Sequence, residues 1–472
     1  MKELIYPTLD LFLYQFRNGL GDSDDQIREN HKDFWQNIPN KIKVNLDAEV
    51  KGENPEYIKL LEELIEPSTK KQFNIQDNHY YFKDTSDTHK LEGYYYPIRL
   101  YDTYGLIFDC SIDDRNNPQP IDVFKNLKQQ GATKSGNIGK TWMVSGSLVP
   151  GIKPEPENIA KETYQILAGT KCQKPEPGKF LGATVFEIWK PPQKWLHIEQ
   201  ENIHVMVILY PNLWNMEVAA EFYGDWLRLF NMRNKIIWEY AYSRQLTTEL
   251  KTIFKAVSDN ITRVNKINYG FTNQKISPQE LQDLQKILSQ SIATLSDYAS
   301  KLSYLEILRL AIDNNLQNYQ SFIKDIEDKA KEKQQNDTTL GDTNLQCLEN
   351  FTKTVKNKYK VQIQQDCASL STSLRIIEEL TNTVRGIIEI EQTKRDRSLE
   401  RTFQVLGTAF GGGAIVSGVV TQHIDKPFAP MNLKYSFHPL FLSLFWSVLA
   451  TIILGLAAWW WTKPKQNANQ QD

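Results

Sequence analysis

Leu440–Trp461 reads LFLSLFWSVLATIILGLAAWWW, 22 residues without a charged side chain. As a helix rising about 1.5 Å per residue it spans roughly 33 Å, which covers the ~30 Å hydrocarbon layer of a bilayer. Trp459, Trp460 and Trp461 close the stretch, and Lys463 and Lys465 follow. Indoles settle at headgroup level and lysines at the anionic cytoplasmic face, so this end reads as an interfacial anchor. A helix buried in a soluble core has no use for three tryptophans running into the polar tail NANQQD. The stretch predicts a transmembrane helix over 440–461 and a short tail over 462–472.

Upstream, Phe403–Val420 (FQVLGTAFGGGAIVSGVV) is a second uncharged stretch, 18 residues long. Gly407, Gly411, Ala414 and Gly418 recur at steps of four, three and four. That puts small residues on one helix face and lets backbones approach closely. With Gln404, Thr408 and Ser417 this face either lines a pore or packs against other helices, and both readings stay open. Lys394, Arg395, Arg397 and Arg401 precede this span and Lys463 follows the last one, whereas the connecting loop, 421–439, holds only Lys426 and Lys434. The positive-inside bias places both ends in the cytosol and the loop outside, with Arg397, Arg401, Lys463 and the tryptophans as interface anchors. The N-terminus, MKELIYPTLDLFLYQF, has no basic n-region followed by an apolar h-region. The expectation is therefore no secretory signal, a cytosolic body, and a multi-pass chain in the plasma (inner) membrane.

Between Pro278 and Pro427 there is no proline, and the apolar period is helical. Leu281, Leu284, Leu288, Ile292, Leu295, Tyr298, Leu302, Leu305, Leu308 and Ile312 step by threes and fours, as do the apolar residues on to Ile326. Ser277-Pro278 fits the helix start, and the polar run KEKQQNDTTLGDTN around Gly341 fits the turn after it. A second stripe follows: Leu345, Leu348, Phe351, Val355, Tyr359, Ile363, Cys367, Leu370, Leu374, Ile377, Leu380, Val384 and Ile387. No breaker separates it from Phe403, which predicts one helix over about 343–420 running from cytosol into membrane, with Gly386 as a possible bend. An earlier helix spans about Glu217 to Val264, with Phe222, Trp226, Leu229, Ile236 and Tyr240 on one face. Three such helices need one another, or copies of themselves, for burial. An antiparallel three-helix bundle is the simplest arrangement.

Residues 1–215 read as an α+β domain. Expected strands are Leu9–Tyr14, Tyr94–Tyr101, Leu106–Cys110, Thr141–Leu148, Ala183–Trp189 and Val205–Tyr210. Expected helices are Asp24–Asn37, Asn54–Leu64, Ile121–Gln129 and Glu157–Leu167. Prolines from Pro150 to Pro192 predict extended connections around one short helix. The domain plan is then 1–215 cytosolic α/β, 216–342 long amphipathic helices, 343–402 stalk helix, 403–420 first span, 421–439 external loop, 440–461 second span and 462–472 tail.

Chemistry is sparse. A net charge of −2 over 472 residues argues against a nucleic-acid partner, which needs a basic surface. The four cysteines form no CxxC pair and read as reduced, buried thiols. The seven histidines show no metal-ligand spacing, and no GxSxG is present. Ser135–Thr141 (SGNIGKT) looks like a phosphate loop, but the pattern needs glycine five residues before Gly139, where Lys134 stands, and a helix afterwards, where a strand is expected. A nucleotide-like ligand at Lys140 and Thr141 is the enzyme reading; no catalytic residues declare themselves. Asp24-Asp25 and Asp113-Asp114 are either solvated loop pairs or divalent-cation contacts between subunits.

The order of parts is an α/β domain, long amphipathic helices, a helix entering the membrane, a short outside loop, and one return span with a basic tail. This order resembles the CorA-type magnesium and cobalt channel superfamily over most of the chain. The resemblance implies a homo-oligomer, a pentamer, embedded in the lipid bilayer. Five first-span helices would line its pore, and a cytosolic funnel would sense a divalent cation. The family's Gly-Met-Asn motif at the end of the first span is not matched: Val419-Val420-Thr421-Gln422-His423 stands there, and Pro430-Met431-Asn432 lies about ten residues farther along, with Asn432 in the external loop. Architecture therefore carries over and ion selectivity does not. Three expectations stand: an oligomeric channel or transporter regulated by its cytosolic domain, a membrane-anchored effector or scaffold using the hairpin as tether, and an enzyme.

Overall fold

The computed structural model describes residues 2–19, 22–39, 80–85, 90–151, 155–172, 175–192, 195, 198, 202–269 and 276–393. Asn54–Leu64 and everything from 394 onward, including both uncharged stretches, lie outside the described residues. No helix among the described residues is long and apolar enough to cross a membrane. The chain divides into two compact units: Met1–Ala256 with Leu295–Arg375, and Val257–Thr294 with Ile376–Asp472.

The first unit is built on a nine-stranded sheet in the order β2-β3-β4-β1-β6-β9-β8-β7, with β5 beside β1. The strands are β1 (Glu3–Phe16), β2 (Tyr80–Thr85), β3 (Lys90–Leu100), β4 (Thr103–Ile112), β5 (Gln119–Pro120), β6 (Gly139–Leu148), β7 (Pro177–Phe180), β8 (Ala183–Trp189) and β9 (His204–Tyr210). All pairings are antiparallel except β6 with β9. Every residue of β4 and β9 is buried, so the central sheet is covered on both faces. One face, carrying Leu9, Leu11, Leu13, Phe108, Val144 and Val207, packs under α1 (Asp24–Gln36), α2 (Phe124–Gly131) and α3 (Pro156–Ala168). All six expected strands are present. Strand β7 lies inside the proline-rich stretch that predicts only extended connections, because its pairing with β8, not its own propensity, makes it a strand.

The opposite face meets the long helices. After α4 (Leu213–Ala219) and a 3-10 turn, α5 runs Tyr223–Tyr269, so the helix expected from Glu217 is interrupted before its long part begins. Phe12 lies against Phe230, and the Tyr14 hydroxyl donates to Leu227 O at 2.7 Å, fixing α5 on β1. Helix α6 (Pro278–Asn336) starts on a capping box: the Ser277 and Glu280 side chains bond each other's backbone N–H, at 3.2 and 2.8 Å. The last helix opens as a 3-10 turn at Gln346–Leu348 and continues as α7 (Glu349–Thr354), a π-turn (Val355–Tyr359) and α8 (Lys360–Thr393). Within the first unit, pairs Asp225–Lys329, Glu239–Asn315 and Glu249–Lys301 show α5 and α6 antiparallel. Tyr319–Phe351, Asp313–Lys360 and Tyr298–Leu370 show α6 antiparallel to the last helix. The expected three-helix arrangement is present there. In the second unit the same helices bury Val257 and Val264, Leu284 and Leu288, and Ile377, Val384 and Ile388.

The turn between β7 and β8 is tied to the linker after α6. Lys179 and Asn344 exchange two backbone bonds of 2.8 Å, and Gly182 N donates to Asp342 O at 3.0 Å. Gly182 (φ +83°) and Gly341 are stacked so closely that a Cβ on Gly341 would sit 2.6 Å from Gly182 Cα. Backbone must move to admit it, so Gly341→Ala should cost about 1–3 kcal/mol, read as a lowered Tm of the purified chain. An unchanged Tm would mean the contact is not made in solution.

Candidate functional site

Ser135–Thr141 is held by amides. Asn37, at the end of α1, donates from Nδ2 to Ser135 O at 2.8 Å and accepts at Oδ1 from Ser135 N at 2.9 Å. Gln15 Oε1 accepts from Asn137 N at 2.9 Å, and Asn137 Oδ1 accepts from Phe16 N at 2.8 Å. Both glycines serve close packing. A Cβ on Gly136 would meet Tyr14 O at 2.2 Å; Gly139, at φ +138°, lies against Asn234 Oδ1 of α5. Strand β6, not a helix, follows at Gly139, so the loop is not a phosphate loop of the nucleotide-binding kind. It borders a cleft of about 480 Å³, lined among others by Gln15, Gln36, Asn37, Ile138, Lys140 and Asn202. Lys134 beside it is buried and committed: its Nζ donates to Asn37 O at 2.6 Å and lies over the Tyr95 and Phe108 rings. Lys140 is half-buried, and its one hydrogen bond here is a long 3.4 Å contact to Lys134 O. Burial first, then the charge of Lys128, holds its ammonium below the ordinary lysine range.

Behind the loop is a buried network. Asn234 Nδ2 donates to Thr141 Oγ1 at 3.0 Å, so the threonine hydrogen turns to His204 Nδ1 at 2.9 Å. His204 therefore carries its proton on Nε2 and donates it to Glu187 Oε1 at 3.1 Å. Arg233 Nε donates to the same oxygen at 3.1 Å. The guanidinium is fully buried between Trp189 and Phe351, 4.8 and 4.6 Å from the ring centres. Its Nη1 and Nη2, and the nearby Tyr319 and Tyr359 hydroxyls, are buried without a hydrogen-bond partner among the described residues. Burial pushes the Glu187 carboxyl up, but His204 and Arg233 outweigh it and hold it below the ordinary glutamate range. Burial, then the Arg233 charge, lowers His204 to about 4, so the ring is neutral. Thr-His-Glu is also the residue set of a nucleophilic triad. Here Thr141 and His204 are buried and the hydroxyl is bonded to Nδ1 while the carboxylate holds Nε2, the reverse of a hydrolytic triad. The network positions α5 on the sheet.

A second buried group lies on the same sheet face. Asp10 of β1 and Asp109 of β4 are cross-strand partners, 0% and 9% exposed. Tyr223, the first residue of α5, donates to Asp10 Oδ2 at 2.9 Å. Burial, then repulsion from Asp109, raises the Asp10 carboxyl well above its usual range, and burial pushes Asp109 up to about 7. Burial and mutual repulsion therefore oppose the ionisation of both carboxyls together near neutral pH.

Of the residues marked out by sequence, Arg397, Arg401, Gln404, Gly407, Thr408, Gly411, Ala414, Ser417, Gly418, Asn432, Trp459, Trp460, Trp461 and Lys463 lie outside the described residues. Asp24 and Asp25 are exposed in the first turn of α1. Asp113 pairs with Lys83 at 3.3 Å, and Asp114 caps its own turn through Asn116 and Asn117. No group of three or more His, Cys, Asp or Glu among the described residues is placed to hold a metal ion. All four cysteines are free thiols, three of them buried. Compared with known proteins, the chain matches no protein family, no curated protein and no solved structure.

Proposed function

We propose that this chain is an oligomeric membrane channel or transporter of CorA-like architecture, regulated by its N-terminal domain, with the ion unassigned. The observation that carries the reading is the direct joint between cleft and helices. Gly139 and Thr141, at the cleft loop, both touch Asn234 of α5. Helix α5 packs on α6 and on the last helix, whose described part ends at Thr393, next to the basic run Lys394–Arg401 and the uncharged Phe403–Val420. A change at the loop thus reaches a helix surface continuous in sequence with the expected first span. The ranking over a plain anchor rests on analogy of build.

The detergent-purified chain is expected to be a pentamer by native mass spectrometry, and to conduct ions when reconstituted in liposomes. A monomer or dimer leaves no ring for a first span to line. The hairpin would then be a tether and the cytosolic unit an effector or scaffold.

A further inference from the structure

We infer that the cleft beside Ser135–Lys140 binds a small oxyanion-bearing, hydroxyl-rich ligand, a sugar phosphate or sugar acid, with Lys140 as its counter-charge. This deepens the regulatory reading above and rests on it only for what the ligand does, not for its binding. Three observations converge. The cleft, at about 480 Å³, has room for a small metabolite. Lys140 borders it as a partly desolvated cation with no carboxylate at ion-pairing distance among the described residues, while its neighbours Lys134 and Lys128 are spent on Asn37 O and Leu167 O. A cation taken out of water and left unpaired destabilises the fold unless something anionic completes it. Gln15 is the third: it lines the cleft, is 2% exposed, and its Nε2 is buried without a hydrogen-bond partner among the described residues, while its Oε1 is used by Asn137 N. Gln15 Nε2 and Lys140 Nζ, the latter held only by the long bond to Lys134 O and by the Trp142 ring 6.0 Å away, are both donors.

The rest of the wall sets the ligand's body. Gln36 offers a carboxamide, Asn202 its Nδ2 (its Oδ1 accepts from Trp189 Nε1), and Thr133 and Ser135 hydroxyls, groups that match sugar hydroxyls. No aromatic side chain is among the lining residues, so a nucleobase finds no ring to stack on. Asp33 lines the cleft but is exposed, whereas Lys140 is half-buried. The anionic end therefore points inward to Lys140 and the neutral body toward the mouth.

The test uses the full detergent-purified chain with ribose 5-phosphate, gluconate and uncharged ribose, by calorimetry and thermal shift. Ribose 5-phosphate or gluconate is expected to bind and raise Tm, and ribose is not. Lys140→Met should weaken that binding at least tenfold while raising the ligand-free Tm by a few degrees, because the unpaired cation is gone; Lys140→Arg should keep binding within a fewfold. No binding by either anion overturns the inference, as does equal binding of ribose or unchanged affinity in Lys140→Met. A chain that binds but does not conduct refutes only the channel reading; one that conducts but binds neither anion refutes only this one.

Discussion

Arg233→Ala is expected to destabilise the first unit by about 3–5 kcal/mol, the usual consequence of stripping one partner from a buried ion pair. Arg233 is fully buried, and its loss leaves the Glu187 carboxylate, 8% exposed at its side chain, with His204 alone. Glu187 must then stay charged in a dry site or take a proton. The stacked contacts with Trp189 and Phe351 go as well, which opens a gap between β8 and α7. Replacing both partners should be far milder. In Arg233→Met with Glu187→Gln, the methionine fills the aromatic slot and the glutamine oxygen still accepts from His204 Nε2. The checks are urea unfolding of the purified chain and hydrogen exchange of the β8 and β9 amides. If the double variant is as unstable as Arg233→Ala, the loss comes from packing alone and the charge argument fails.

Asp109→Asn is expected to stabilise the chain at pH 8 and to change little at pH 4. Asp109 titrates near 7 in the folded protein, and the unfolded value is about 3.9. Between these values the folded state holds more protons than the unfolded one, so stability falls as pH rises from about 4 to about 7. Three units at about 1.4 kcal/mol each bound the loss near 4 kcal/mol, and about 2 kcal/mol is reasonable for a coupled pair. His204 works the other way. Its folded value of about 4 lies below the ordinary 6.5, so its contribution is lost as pH falls through that window. Glu239, raised to about 8 by burial, adds to the acidic trend. Because both are common to wild type and variant, the difference in Tm between them isolates the Asp pair. A difference flat from pH 4 to pH 8 would show that burial beside Asp10 does not raise the Asp109 carboxyl.

Periodicity made the strands and long helices legible, because each buries an apolar face. The short edge strand β7 was not, since its partner supplies the reason for it. The buried network left only a faint trace in the helix stripe: Phe222, Trp226, Leu229, Met232 and Ile236 step by four, three, three and four. Arg233, four residues after Leu229 and three before Ile236, falls on that same face, although Met232 beside it keeps the stripe unbroken. Asp10 left a similar trace, standing in LDLFLY where every neighbour is apolar. What pairs them was not readable, because Asp109, Glu187 and His204 arrive from strands far off in sequence. The glycines of Ser135–Thr141 misdirect for the same reason: they relieve contacts with Tyr14 and Asn234 that only the fold creates.

The π-turn at Val355–Tyr359 falls where Phe351, Val355, Tyr359, Ile363 and Cys367 are spaced by four successive steps of four. On a plain α-helix each such step drifts about 40° around the axis, and one wide turn takes in an extra residue, about 100°, to correct it. Lys356, Asn357 and Lys358 within the turn are exposed. In evolutionary terms, the turn accommodates an insertion of one residue. A descendant of the same ancestor lacking one of these three residues would run this interval as plain α-helix with its buried stripe intact. Deleting one residue between 355 and 359 is thus a length change expected to leave the buried stripe packed.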